Sequence, residues 1–318
     1  KKPGTFFCSI FTFWQHFRFG QFFFFRRNPP PPPPPALIWS DDFNGSSLDS
    51  AKWNIETGDG SQYGNNMYGW GNAEKQLFKK GNISVEKGVL RIEVKKDTGN
   101  PAYPYSSSRI TTGKIKAGNT VTAATYTVRK GRVEARIKAP AGRGFWPAFW
   151  LLGANSYLDN ANHAANAWPA CGEIDIMEMQ GGLDDKTVIG TIHFGTAYPD
   201  SWYSLSSRKT HSENLGNGWH VYGASWDETG IRWTFDGNQY AEAKLNPLPA
   251  KDSNGKTINA SLANTAAFTA EPGFAIILNL AVGGAFFGDP NTVPPDSAFT
   301  GSRDERSILV DWVKVYEE

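Results

Sequence analysis

From Ala36 onward, short runs rich in Val, Ile, Thr, Tyr and Trp alternate with clusters of Gly, Asn, Asp and Pro. Apolar and polar positions that alternate every second residue place one face of a strand on a core and the other towards solvent. Runs of this kind cover residues 83–94, 131–138, 173–179, 188–194, 220–226, 231–235, 274–280 and 308–315, and each reads as a strand. Between the runs at 220–226 and 231–235, Asp227-Glu-Thr-Gly230 supplies a hairpin turn, and Asp236-Gly237 starts the next one. Helical periodicity is scarce, and no repeat of solenoid or propeller length occurs. The pattern predicts an all-β fold: one sandwich of many strands.

Residues 1–36 follow a different pattern. Phe6-Phe7, Phe22 to Phe25 and the prolines Pro29 to Pro35 form a low-complexity head. Lys1-Lys2 gives it the basic start of a leader, but His16, Arg18, Arg26 and Arg27 interrupt the apolar stretch. No run approaches the roughly eighteen apolar residues that a membrane helix needs. The head is expected to be a leader with a polyproline spacer, or an out-of-frame extension in place of a native one. The boundary falls at 36/37, with a single catalytic domain over 37–318.

Charge narrows the partners. A formal net charge of +1 over 318 residues gives no electrostatic case for nucleic acid or a membrane surface. Two cysteines argue against a disulfide scaffold, and Cys171 reads as a small buried apolar residue. Twelve Trp suit both a β core and stacking on the apolar faces of sugar rings.

The chemistry concentrates in Gly172-Glu-Ile-Asp-Ile-Met-Glu-Met-Gln180. Alternation puts Glu173 and Asp175 on one face and would send Glu178 to the other. One extra residue, a β-bulge at Ile176-Met177, returns Glu178 to the carboxylate face. Three carboxylates on a half-buried strand destabilise a fold unless they are partnered or perform chemistry. Retaining glycoside hydrolysis needs such a set: an ionised nucleophile, a protonated acid, and a third group that tunes them.

That segment resembles the active-site signature of glycoside hydrolase family 16, in the bulged form of the laminarinase branch, the endo-β-1,3-glucanases. The likeness runs through Trp39-Ser-Asp-Asp-Phe-Asn-Gly45, Trp70-Gly-Asn-Ala-Glu-Lys-Gln76, Ser108-Arg-Ile-Thr-Thr112 and Gly131-Arg-Val-Glu-Ala-Arg-Ile-Lys138. It continues in Gly144-Phe-Trp-Pro-Ala-Phe-Trp150, Gly190-Thr-Ile-His-Phe-Gly195, Leu278-Asn-Leu-Ala-Val-Gly-Gly284 and Val310-Asp-Trp-Val-Lys-Val-Tyr316. The resemblance implies a concanavalin A-like jelly roll with a concave cleft. It assigns Glu173 as nucleophile, Glu178 as acid/base, Asp175 as helper and His193 as a neighbour that tunes them. It places Trp146 and Trp168 in the cleft, and Asn72, Glu74, Gln76 and Arg109 against sugar hydroxyls. Trp150 reads as core.

No cofactor is implied for catalysis. A structural calcium ion is implied, with Asp311, Asp42 and the backbone carbonyl of Gly88 as its ligands. Two positions differ from the family pattern: Phe286-Phe287 stands where many laminarinases carry Trp, and Asp41-Asp42 where the family often has Asp-Glu. The expected protein is a secreted, monomeric endo-β-1,3-glucanase acting on laminarin-like or mixed-linkage β-glucan. The alternatives are a galactan hydrolase of agarase or carrageenase type on the same scaffold, and a non-catalytic β-glucan-binding protein. Retention of all three acids argues against the last.

Overall fold

Alternating strands can bury their apolar faces only against a second sheet, and the chain does so. The computed structural model describes residues 35–64, 67–97, 99–118, 120–156 and 167–317. The head through Pro34 lies outside them. Two large antiparallel sheets make the jelly-roll sandwich. One runs edge to edge as Ser201–Thr210, Thr187–Ala197, Glu173–Glu178, Phe145–Gly153, Phe274–Val282, Arg109–Thr111 and Asn54–Glu56. The other runs Asn238–Lys244, Gly230–Phe235, His220–Trp226, Gly131–Lys138, Ser307–Tyr316, Val89–Glu93 and Ile83–Glu86, and Leu37–Asp41 also pairs with Ser307–Tyr316. Among the described residues, no helix is long and apolar enough to cross a membrane.

Of the strands that the sequence pattern joins or leaves out, three have a local reason. The run at 83–94 is a hairpin, Ile83–Glu86 against Val89–Glu93. It turns at Lys87 and Gly88, which both take positive φ, as a two-residue turn of this hand requires. Ser201–Thr210 is an edge strand whose apolar residues, Trp202, Tyr203 and Leu205, all lie in its first half; from Ser206 on it is polar, so no sustained alternation reveals it. Phe145–Gly153 holds the centre of its sheet despite Pro147. Pairing with the carboxylate strand begins only at Ala148, so proline's missing N–H falls just beyond that ladder.

The bulge is present. From Asp175 to Glu178 the carboxylate strand advances three residues while its neighbour advances two, from Thr191 to Ile189. Ile176 and Met177 therefore both enter the core, beside Ile174, Phe149, Leu151 and Leu278. A bulge interrupts the ladder and leaves backbone groups in need of partners. Here the Asp175 carbonyl accepts a hydrogen bond from Trp233 Nε1 at 2.8 Å, reaching across from the opposite sheet.

Gly190 makes room for that indole. A Cβ at position 190 would lie 2.7 Å from the Trp233 ring and 2.8 Å from the Tyr240 hydroxyl oxygen. Gly190→Ala should therefore overpack the sandwich beside the carboxylate strand and cost about 1–3 kcal/mol, read as a lower urea midpoint. An unchanged midpoint would show that Trp233 has room to shift.

Candidate active site

The ladder sets the carboxylates among fixed neighbours. Glu173 faces His193 on one side and Leu152 on the other, Asp175 faces Thr191 and Trp150, and Glu178 faces Ile189 and Ala148. Glu173 keeps some exposure, whereas Asp175 and Glu178 are buried. His193 Nε2 lies 3.3 Å from Asp175 Oδ2 and 3.7 Å from Glu173 Oε1. Among the described residues, Asp175 Oδ2 accepts no aligned hydrogen bond. Glu178 Oε1 accepts one from Trp146 Nε1 at 2.9 Å.

Burial pushes all three carboxyls up, to about 8, with the charge of Asp175 adding to the effect on Glu173 and Glu178. Such a site retains protons at neutral pH. Holding a proton on Glu178 while Glu173 is ionised is the arrangement a retaining reaction uses.

A row of residues crosses the sheet beside the acids. In register, Glu56 faces Arg109, Arg109 faces Asn279, Asn279 faces Ala148 and Ala148 faces Glu178. Arg109 is buried, ion-paired to Glu56, and lies between the Trp70 and Trp150 rings at 4.5 and 4.8 Å. Trp150 Nε1 donates to Asn279 Oδ1 at 2.7 Å. Trp150 thus stands on the carboxylate face and not in the core where the sequence placed it, because it pairs directly with Asp175.

Arg109 positions this indole. Gln76 is wholly buried: its Oε1 accepts from Val282 N at 2.8 Å and its Nε2 donates to Glu74 Oε2 at 2.5 Å. It holds Glu74 in place from behind. Glu74 itself is pushed up to about 7 by burial, and Asn72 remains exposed beside it.

Aromatic side chains close both ends. Phe286 stacks on Trp146 at 4.6 Å, covering one face of that indole. At the other end Trp168, His193, Tyr198 and Trp202 form one cluster, with ring centres 5.5–5.8 Å apart. Sequence reasoning missed Glu56, Trp202 and Asn279. Asn279 alone carried a signal, as the one polar side chain in the apolar strand Phe274–Val282. Cys171 is buried, and burial pushes its thiol up, as an inert packing residue requires.

The residues named for calcium lie on adjoining segments of the other sheet. Asp41 pairs with Val313, which sets Asp42 alongside the Asp311 stretch. The side chain of Asn44 approaches Gly88. Asp311 Oδ2 is engaged by Arg136 Nη1 at 2.6 Å.

The family model described as "Beta-porphyranase A-D, GH16 domain" matches residues 37–318. The chain belongs to glycoside hydrolase family 16. Within the family it is similar to glucan endo-1,3-beta-glucosidase A1 of Niallia circulans, 35% identical over 89% of this chain and 38% of that one. The chain therefore spans about two fifths of that relative. Among solved structures, the laminarinase catalytic domain of Thermotoga maritima superimposes with a TM-score of 0.67 at 30% identity, covering 89% of this chain and 98% of that one. The endo-beta-1,3-glucanase of Pyrococcus furiosus gives 0.66 at 33%, covering 88% and 94%.

The raised carboxyls of this family 16 site carry a sign for stability. A group whose folded pKa is raised supports the fold fully below its unfolded value, 4.5 for Glu178, and loses that support as pH climbs to about 8. Glu178→Gln removes the ionisation. It should melt close to wild type near pH 4 and be more stable at pH 8, by roughly 1–3 kcal/mol. Thermal melts across that range check it; a wild type that gains on the variant as pH rises would contradict the raised pKa.

Proposed function

We propose that this family 16 domain is a retaining endo-β-1,3-glucanase acting on laminarin-like or mixed-linkage β-glucan. The observation that carries the reading is the bulged strand, which puts Glu173, Asp175 and Glu178 on one face with Trp146 and Trp168 flanking them. The names of its relatives support the linkage. Glu173 attacks the anomeric carbon while Glu178 protonates the departing glycosidic oxygen. Glu178 then takes a proton from the water that releases the glycosyl-enzyme. Asp175 raises the cost of a further charge on Glu173 and Glu178 alike, so the site retains a proton, which the first step needs on Glu178. Indole faces of Trp146 and Trp168 stack on pyranose C–H groups, and Asn72 and Glu74 offer bonds to hydroxyls.

A galactan is the second reading, favoured by the porphyranase description of the matching family model. Against a strongly anionic galactan stand the near-neutral chain and an Arg109 already paired to Glu56. Reducing-end release on laminarin, lichenan, agarose, carrageenan and porphyran separates the readings. We expect laminarin first; turnover confined to the galactans would overturn it. The reading further takes the enzyme to work as a monomer outside the cell.

Glu173→Ala should lower kcat by roughly 10³-fold or more. Glu178→Ala should spare substrates with good leaving groups in the first step and yield a β-glycosyl azide with azide. Newly released sugar should be the β-anomer, and an α-anomer in early NMR spectra would rule out retention.

We also propose a calcium ion tying the chain ends together on the outer sheet, held by Asp42, the Gly88 carbonyl and Asp311. Hard oxygen donors suit it, although Arg136 already holds one Asp311 oxygen. An ion bound only by the folded state adds stability by mass action. Chelation should lower the melting temperature and leave activity at moderate temperature intact. Identical melts with EDTA and with added calcium, in wild type and in Asp311→Ala alike, would remove the site.

A further inference from the structure

His193 carries a constraint that the catalytic scheme does not use. Trp202 Nε1 donates a hydrogen bond to His193 Nδ1 at 3.0 Å, with 17° between the ring planes. An indole N–H can only donate, so Nδ1 must present its lone pair and the imidazole hydrogen sits on Nε2. Nε2 lies 3.3 Å from Asp175 Oδ2 and 3.7 Å from Glu173 Oε1, close to both carboxylates without an aligned hydrogen bond to Asp175 Oδ2. Trp202 is held against rotation by Trp168 and Tyr198, with ring centres 5.7 and 5.5 Å away.

Glu173, Asp175 and His193 are also a donor set that a divalent transition metal takes. One ligand atom from each lies within 4.8 Å of the others. To bind a metal there, His193 would have to offer the Nε2 lone pair, which moves its hydrogen to Nδ1. Two N–H donors would then meet head-on, Trp202 against His193.

We propose that Trp202 is a positioning residue: by donating to His193 Nδ1 it locks the Nε2–H form, keeping the carboxylates a proton-transfer site and denying them to divalent metal ions. The proposal rests on the site reading above, in which Glu173 and Asp175 must stay free for catalysis.

Two measurements test it without substrate. In ¹⁵N-labelled wild type in near-neutral buffer, long-range ¹H–¹⁵N spectra should show His193 protonated at Nε2 and bare at Nδ1, the resonances being assigned by their loss in His193→Gln. A protonated Nδ1, alone or with Nε2, would overturn the proposal. Calorimetric titration with Zn²⁺ should show Trp202→Phe binding about tenfold or more tightly than wild type, the scale of relieving one unmatched buried donor. Trp202→Phe/His193→Gln should return to the wild-type level. A folded Trp202→Phe with wild-type zinc affinity would overturn the proposal, and should that variant fail to fold, the wild-type spectra decide alone. Wild-type protein with the expected spectra but no glycanase activity would sink the functional reading and leave this one standing.

Discussion

One extra residue in the strand Glu173–Glu178 is the constraint on which the site depends. Without it, side chains two apart would share a face and Glu178 would point into the core. With it, Ile176 and Met177 both turn inward and all three acids face outward. The interrupted ladder leaves a backbone carbonyl to be satisfied, and Trp233 supplies the hydrogen from the opposite sheet. The sandwich core therefore does more than bury apolar surface. Through that one indole it braces the irregular strand that places the chemistry.

The acids themselves work against stability. Each carboxyl loses hydration on burial, and each raises the cost of charging its neighbours. A regular strand with apolar side chains at these positions would be more stable. The protein tolerates the arrangement because the strand is central to its sheet, with a ladder on both sides and fully buried residues beneath it.

Around the acids, the polar residues divide into those that face the cleft and those that hold others in place. Arg109 and Gln76 belong to the second group. A buried guanidinium paired with Glu56 contributes little net stability once desolvation is counted. Clamped between two indoles, it fixes where Trp150 stands. Gln76 has both ends of its amide engaged and fixes Glu74 in the same way. Phe286 on Trp146, and Trp202 on His193, act from the two ends. Motif matching assigns sugar contacts to Arg109 and Gln76; both are buried and each already holds protein partners.

The sequence by itself determined the class of fold, the carboxylate triad and its bulge, because these are local. Side-chain direction along a strand alternates from one residue to the next, so Glu-Ile-Asp-Ile-Met-Glu already states which acids share a face and where a residue must be inserted. Only the tertiary structure decided what stands beside them. Gln76 meets Val282, Arg109 meets Glu56, and Trp233 reaches the Asp175 carbonyl, across 206, 53 and 58 residues of chain. Even Trp202, only nine residues from His193, reaches it by the fold of a hairpin whose second strand turns polar after Leu205. Trp150 looked like core because its apolar character was visible and its lateral neighbour, Asp175, was not. Lateral neighbours in a sheet follow from strand order and register, which are set by how two whole faces pack together and not by any single stretch of residues.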